Sequence, residues 1–404
     1  MNSAHTAIPV AERVGHFSYA IRNIVVEAKR VEASGRRVRY LNVGNPPPFG
    51  FQPPLHLIEA VERALRQGEN GYSASPGIQP AREAVAEEYS RRGWPVSADR
   101  VLVTSGTSEG IELALSALVD PGTDVLVPMP TYPLYTALLA KLGGQPTYYK
   151  TDPSRGWIPD LDHLEQVVTP RTRALVIIDP NNPTGATYPP DVRRALIAFA
   201  ERHGLPILAD EVYGDLGYGG PVAPLGSLEP SAPIISFSSL SKGFVAPGWR
   251  TGWMAVGSSP RLDDVLAAVF KLADGRLCSN VPTQWAIPAA LNGDRSSQER
   301  LRQAMKARAD VTTSMLQAMP GVSVVAPTAA FYAMPKVDLP PGKTDADYVL
   351  ALLRATGILC VYGSGFGMPA DAGYLRIVFL AAPDELREIY TMMGDFTAEF
   401  LGRG

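Results

Sequence analysis

Cysteine is scarce: the 404 residues contain two, Cys278 and Cys360. Two thiols cannot build a disulfide framework or a cysteine metal cluster, so no metal is expected. A surplus of one charge is missing too. Lysine and arginine number 37 against 40 acidic residues, a formal net charge of −3, which leaves no electrostatic footprint for nucleic acid or an anionic membrane. No apolar run approaches the roughly 18 residues needed to span a bilayer. The first residues, Met-Asn-Ser-Ala-His-Thr, carry no basic stretch leading into an apolar segment, so a cytoplasmic location is the default expectation. No repeat or low-complexity tract stands out. What remains is a chain 46% hydrophobic, long enough for one large globular domain and a smaller one.

What is present is an α/β alternation. Short apolar runs fall at Val101–Thr104, Val125–Val127, Pro146–Tyr149, Ala174–Ile178, Pro206–Ala209 and Ile234–Phe237, with helical periodicity between most of them. Continuous Val/Ile/Leu runs mark strands buried on both faces, hence a mostly parallel sheet sandwiched by helices. After Gly257 the pattern changes to long helices near 260–273 and 295–317, short strands at 322–325, 331–334 and 374–379, and a helix near 345–355. The expected division is an N-terminal arm and part of a small domain over 1–50, a large α/β domain over 51–295, and a small α+β domain over 296–404. Ile21, Ile24, Val25 and Ala28 give the arm helical spacing. The three prolines after Asn45 make a stiff extended crossing.

In an open α/β sheet, ligands sit beyond the carboxyl ends of the strands, and the unusual polar residues fall there. Ser105-Gly106-Thr107 opens a helix and either caps it or faces an anion. Asp210-Glu-Val-Tyr213 closes a strand; its first carboxylate either begins a helix or holds a charged ring nitrogen. Asn182, within Asp179-Pro-Asn-Asn-Pro-Thr-Gly185, is a turn former or a presented amide. Tyr132 covers a flat ring or packs in the core. Ser239-Leu-Ser-Lys242, with Arg250 eight residues on, combines an amine among small neighbours with a fixed cation suited to phosphate. Arg376 lies in an otherwise apolar strand, where a guanidinium is costly unless it meets a carboxylate or an anionic ligand.

In this order, Asn-Pro-Thr-Gly, Asp-Glu-Val-Tyr, Ser-Leu-Ser-Lys and Leu-Arg-Ile resemble the pyridoxal-phosphate-dependent aminotransferases of the aspartate aminotransferase superfamily, fold type I. The resemblance runs from about residue 18 to the C-terminus. It implies that Lys242 carries pyridoxal 5′-phosphate covalently and, freed, works as general base and acid in a ping-pong transamination. Asp210 would pair with the pyridine nitrogen, Tyr213 and Asn182 with the ring oxygen, and Tyr132 would stack on the ring. Ser105, Gly106, Thr107, Ser239 and Arg250 would hold the phosphate, with Tyr72 reaching over from the other subunit of a homodimer. Arg376 would bind the substrate α-carboxylate, and Asn182 and Gly44 would lie along the substrate.

Two positions depart from the family pattern: Asp179 stands where asparagine is usual, and Ala329-Ala330 where glycine is usual. Within the family the layout is most similar to alanine aminotransferases, through Tyr19-Ala-Ile-Arg22, Leu41-Asn-Val-Gly-Asn-Pro, Phe49-Gly-Phe51, Arg276-Leu-Cys-Ser-Asn280 and Gly363-Ser-Gly-Phe-Gly367. That implies L-alanine and 2-oxoglutarate as substrates; Arg22 and Arg276 are candidates for the glutamate side-chain carboxylate, with packing or surface pairing as the alternative. Competing functions are aminotransferases for aromatic, branched-chain or specialised amino acids, and elimination, decarboxylation or ring closure on the same scaffold. A cofactor-binding transcription regulator needs a further DNA-binding domain; a dinucleotide fold needs G-x-G-x-x-G after its first strand, which is missing.

Overall fold

The computed structural model describes residues 8–16 and 20–402. A short strand, Arg39–Tyr40 (β1), precedes eight that form the central sheet. These are Val101–Thr104 (β2), Asp124–Met129 (β3), Gln145–Asp152 (β4), Ile158–Pro159 (β5), Thr172–Ile178 (β6), Ile207–Asp210 (β7), Ile234–Ser239 (β8) and Gly252–Val256 (β9). Their order is β2-β9-β8-β7-β6-β3-β4-β5. The strands β8, β7, β6, β3 and β4 run parallel, whereas β9 is antiparallel to both its neighbours. The expected α/β sandwich is therefore present, with each predicted strand found within a few residues.

The apolar runs are continuous because both sheet faces are covered. Val103, Leu126, Ile177, Ile207 and Ile234 join one buried cluster, while Leu102, Val127, Ile178, Leu208 and Ile235 join another. Alternate residues thus enter opposite layers, as the two-residue side-chain period of a strand requires. The helix Thr107–Leu118 (α1 here) follows β2, and Pro190–Arg202 (α2) runs between β6 and β7.

A third cluster gathers the C-terminal elements around Phe331, Tyr348, Ile377, Phe379 and Tyr390. Ile24, Ala28, Val31 and Leu41 of the N-terminal segment join it, as do Tyr213, Leu216 and Val245. The strand Leu375–Val378 pairs with Tyr332–Ala333 on one side and Val361–Tyr362 on the other. Arg39–Tyr40 pairs parallel with Ile358–Leu359, so the N-terminal segment reaches the C-terminal region through backbone hydrogen bonds. Among the described residues, no helix is long and apolar enough to cross a membrane.

Beneath the carboxyl edge lies a buried ionic knot. Asp179 follows β6, Glu211 follows β7, and Arg193 of α2 pairs with Asp179 at 3.1 Å and Glu211 at 4.0 Å. Burial pushes the Asp179 carboxyl up to about 7 against the pull of Arg193. Burial also raises Glu211, which accepts from the Leu225 amide at 2.5 Å and from the Ser236 hydroxyl. The family departure at Asp179 is thus matched by a cation on the neighbouring helix. Removing that cation takes away the charge that opposes the burial of Asp179 and one of the two, with Arg92, that oppose the burial of Glu211. Arg193→Met is expected to destabilise the cofactor-free chain by about 3–5 kcal/mol near pH 9, where Asp179 is ionised, measured by urea unfolding. Protonating Asp179 should shrink the loss as the pH falls towards and below about 7.

Candidate active site

The carboxyl edge of the sheet opens into a cavity of about 650 Å³. Its lining includes Gly44, Thr107, Tyr132, Asn182, Asp210, Tyr213, Ser239, Lys242, Arg250 and Arg376. Topology explains the gathering. Tyr132, Asn182, Asp210 and Lys242 lie at or just beyond the ends of parallel strands, and Arg250 just precedes the antiparallel β9, whose start lies at the same edge.

Lys242 holds the centre. Its Nζ donates to the Gly44 carbonyl at 2.8 Å and lies 5.9 Å from the Tyr213 ring centroid. Burial, then the charges of Arg376 and Arg250, lower its pKa to about 8, with Asp210 opposing. The last residue of β7 is Asp210, 4% exposed. Burial raises its carboxyl to about 6, opposed by the Val212 amide and the Tyr135 hydroxyl, which donates at 3.2 Å. Burial also holds the Tyr213 phenol well above its ordinary range.

At one end, α1 begins at Thr107 with Gly106 as its cap, φ +81°. A Cβ on Gly106 would meet Arg250 Nη2 at 2.2 Å, so glycine is what allows the guanidinium to close on the helix start. Arg250, itself left-handed at φ 53°, donates to the carbonyls of Ser105 and Pro247 at 3.2 and 3.1 Å. Thr107 Oγ1 is buried with no hydrogen-bond partner among the described residues. At the other end Arg376, 1% exposed, donates to Asn182 Oδ1 at 3.2 Å and to the Asn42 carbonyl. The rings of Tyr332 and Phe366 flank it at 5.0 and 4.7 Å.

Two expectations need adjustment. Ser105 and Gly106 stand outside the lining, and their amides are engaged by Glu109 Oε2 at 2.7 Å and the Thr104 carbonyl at 2.8 Å. Thr107 and Ser108 form that wall instead, because the helix starts at Thr107 and turns their side of the first turn inwards. Tyr72 is 84% exposed and does not line this chain's cavity. Arg276 is also absent from the lining. It pairs with Glu109 at 3.0 Å and donates to the Ser75 and Val103 carbonyls at 3.0 and 2.9 Å, which is packing. Arg22 lies outside the residues whose side chains are described. Sequence reasoning missed Ser108, Ser241, Tyr332 and Lys29, all in the lining.

A lysine held partly neutral, a buried carboxylate and an anion-seeking end share this cavity, and the matching sequence family fits them. The model of aminotransferase class I and II matches residues 37–389. The chain belongs to the class I and II aminotransferases. As an aminotransferase it is 39% identical to the alanine aminotransferase of Mycobacterium tuberculosis, over 95% of this chain and 91% of that one. It is 37% identical to the glutamate-pyruvate aminotransferase AlaA of Escherichia coli, over 94% and 95%. The solved alanine aminotransferase of Pyrococcus furiosus superposes with a TM-score of 0.94 at 37% identity, covering 97% of this chain and all of that one. The fold is the type I fold of the pyridoxal-phosphate enzymes, and the aminotransferase uses pyridoxal 5′-phosphate. The donor set suits that group: an amine for its aldehyde, a carboxylate for its ring nitrogen, and an unpartnered hydroxyl, a helix start and a guanidinium for its phosphate.

Proposed function

We propose that this aminotransferase moves the amino group of L-alanine to 2-oxoglutarate, giving pyruvate and L-glutamate by a ping-pong cycle. The observation that carries the reading is Lys242, its pKa lowered to about 8 in the cavity that also holds Asp210 and Arg376. The 37–39% identity to alanine and glutamate-pyruvate aminotransferases supports the substrate pair.

Bound pyridoxal phosphate supplies an electron sink for the charge that develops at the substrate Cα. The chain's residues do the rest. Asp210 holds positive charge at the ring nitrogen, and Tyr132 covers the ring. Tyr213 and Asn182 hydrogen-bond the ring oxygen. Thr107, Ser108, Ser239 and Arg250 hold the phosphate, backed by Ser105 and Gly106, which set the position of Arg250. Arg376 grips the α-carboxylate, its guanidinium already oriented by Asn182 and Asn42. Lys242 takes the Cα proton; with a pKa near 8, roughly a tenth of its amine is neutral at pH 7. Gly44 leaves the substrate side clear.

We also assign the chain to a homodimer in which the exposed Tyr72 reaches the neighbouring site, with the large domain over 51–295 and the small one formed by 1–50 and 296–404. The joint cluster of N- and C-terminal residues supports that division.

Of the cations lining the cavity among the described residues, Arg376, Arg250 and Lys242 have these roles and Lys29 has none. We assign the side-chain carboxylate of glutamate to Lys29. Because Lys29 is exposed, Lys29→Ala should raise KM for glutamate and 2-oxoglutarate by about two- to fivefold. Unchanged constants for alanine and pyruvate complete the expectation. Equal effects on both pairs would remove the assignment.

The function itself is tested by incubating purified protein, loaded with cofactor, with L-alanine. Pyruvate should accumulate beyond one equivalent only when 2-oxoglutarate is added. Sustained pyruvate and ammonia without an acceptor would mean elimination instead.

A further inference from the structure

Tyr332 has no part in the roles assigned so far, yet it touches three of the groups that do. Its hydroxyl lies 2.6 Å from the Tyr213 hydroxyl, both rings line the cavity, and Tyr332 is 2% exposed. The Arg376 guanidinium stands 5.0 Å from its ring centroid. A Cβ on Gly44 would meet the Tyr332 hydroxyl at 2.2 Å. Glycine at 44 therefore clears the space in which that hydroxyl reaches Tyr213. The strand pairing of Tyr332 with Val378, two residues from Arg376, fixes the ring from behind.

We propose that Tyr332 is a positioning residue that donates its proton to Tyr213 and so commits the single Tyr213 proton to the cofactor's ring oxygen. The inference rests on the role proposed above for Tyr213. A phenol has one proton and can accept as well as donate. If Tyr213 gave that proton to Tyr332, nothing on Tyr213 would remain to donate into the cavity. The permanently charged Arg376 over the Tyr332 ring favours Tyr332 as the donor, since a cation at the ring face stabilises charge withdrawn from the hydroxyl. The facing groups are Asp210, Tyr132, Lys242 and Arg250. Hydrogen bonds in a chain polarise one another, so donation by Tyr332 strengthens donation by Tyr213.

The consequence is spectroscopic. A hydrogen bond to the ring oxygen draws off negative charge that otherwise stabilises a proton on the nitrogen linking Lys242 to the cofactor. Losing the Tyr332 donor weakens that bond, so the nitrogen keeps its proton to higher pH. In the cofactor-loaded protein, Tyr332→Phe should raise the pH midpoint of the cofactor's absorbance change by roughly 0.2–0.5 unit. Tyr213→Phe should raise it further, and Tyr332→Phe should add nothing in the Tyr213→Phe background. A shift in Tyr213→Phe with none in Tyr332→Phe, or additive shifts in the double variant, would overturn the proposal while leaving the Tyr213 role intact. No shift in either single variant would overturn both. Because phenylalanine keeps the ring between Arg376 and Gly44, a purely packing role predicts an unmoved midpoint.

Discussion

Lys242→Ala is expected to abolish transamination, with turnover falling by at least about 10⁴-fold, the upper end of what one positioned acid–base group contributes. The loss is this large because one amine serves as tether and as proton carrier. Borohydride reduction followed by peptide mass analysis should leave the cofactor on the Lys242 peptide of the parent protein and on no peptide of the variant. Lys242→Arg should not rescue, because guanidinium keeps its proton at any working pH. Removing the buried amine should also stabilise the empty chain. Burial depresses the amine to about 8 from 10.5, so between those values the unfolded chain binds the extra proton and stability rises with pH. Below about pH 8 the cost of the buried charge is fully present. At pH 7 cofactor-free Lys242→Met should therefore melt higher than the parent, with the gap closing towards pH 10. A lower melting temperature across that range would count against a strained amine.

The sheet was legible because its strands are buried on both faces, which leaves unbroken apolar runs such as Ala174–Ile178. The cavity was legible because strand ends collect at one edge, so residues distant in sequence could be grouped before any contact was known. Strand Gly252–Val256 escaped notice, although Trp253-Met-Ala-Val carries an apolar run. It follows Arg250 so closely that it reads as the tail of the lysine loop, and its antiparallel insertion between β2 and β8 is a tertiary choice. Ser108 was missed because the start of a helix cannot be phased to one residue from sequence. Arg193 gave no signal: beside Arg194 on a polar helix face it resembles solvent-exposed charge, and only the fold sets it against Asp179 and Glu211. Tyr332 sits in a strand of two residues, too short for alternation to reveal which side chain enters the cavity.

Asp210→Asn separates function from stability most cleanly. The substitution preserves shape and still accepts from Tyr135, but removes the charge proposed to face the ring nitrogen. Turnover should fall by about 10²–10³-fold, comparable with deleting one preorganised electrostatic partner. Stability should move the other way. Burial lifts this carboxyl from 3.8 to about 6, so in that window the folded chain retains a proton that the unfolded chain has released. The stability from that retained proton is present below about 3.8 and is lost as the pH rises to about 6. Above pH 6 the cofactor-free parent carries an unfavourable charge worth on the order of 3 kcal/mol. Cofactor-free Asp210→Asn should accordingly resist urea better than the parent at pH 7 and equally near pH 4. Adding pyridoxal phosphate should reverse the ranking at pH 7, since only the carboxylate gains from a cationic ring nitrogen above it. A variant less stable than the parent without cofactor at pH 7 would show that the carboxylate supports the fold, and the electrostatic role assigned to it would fall.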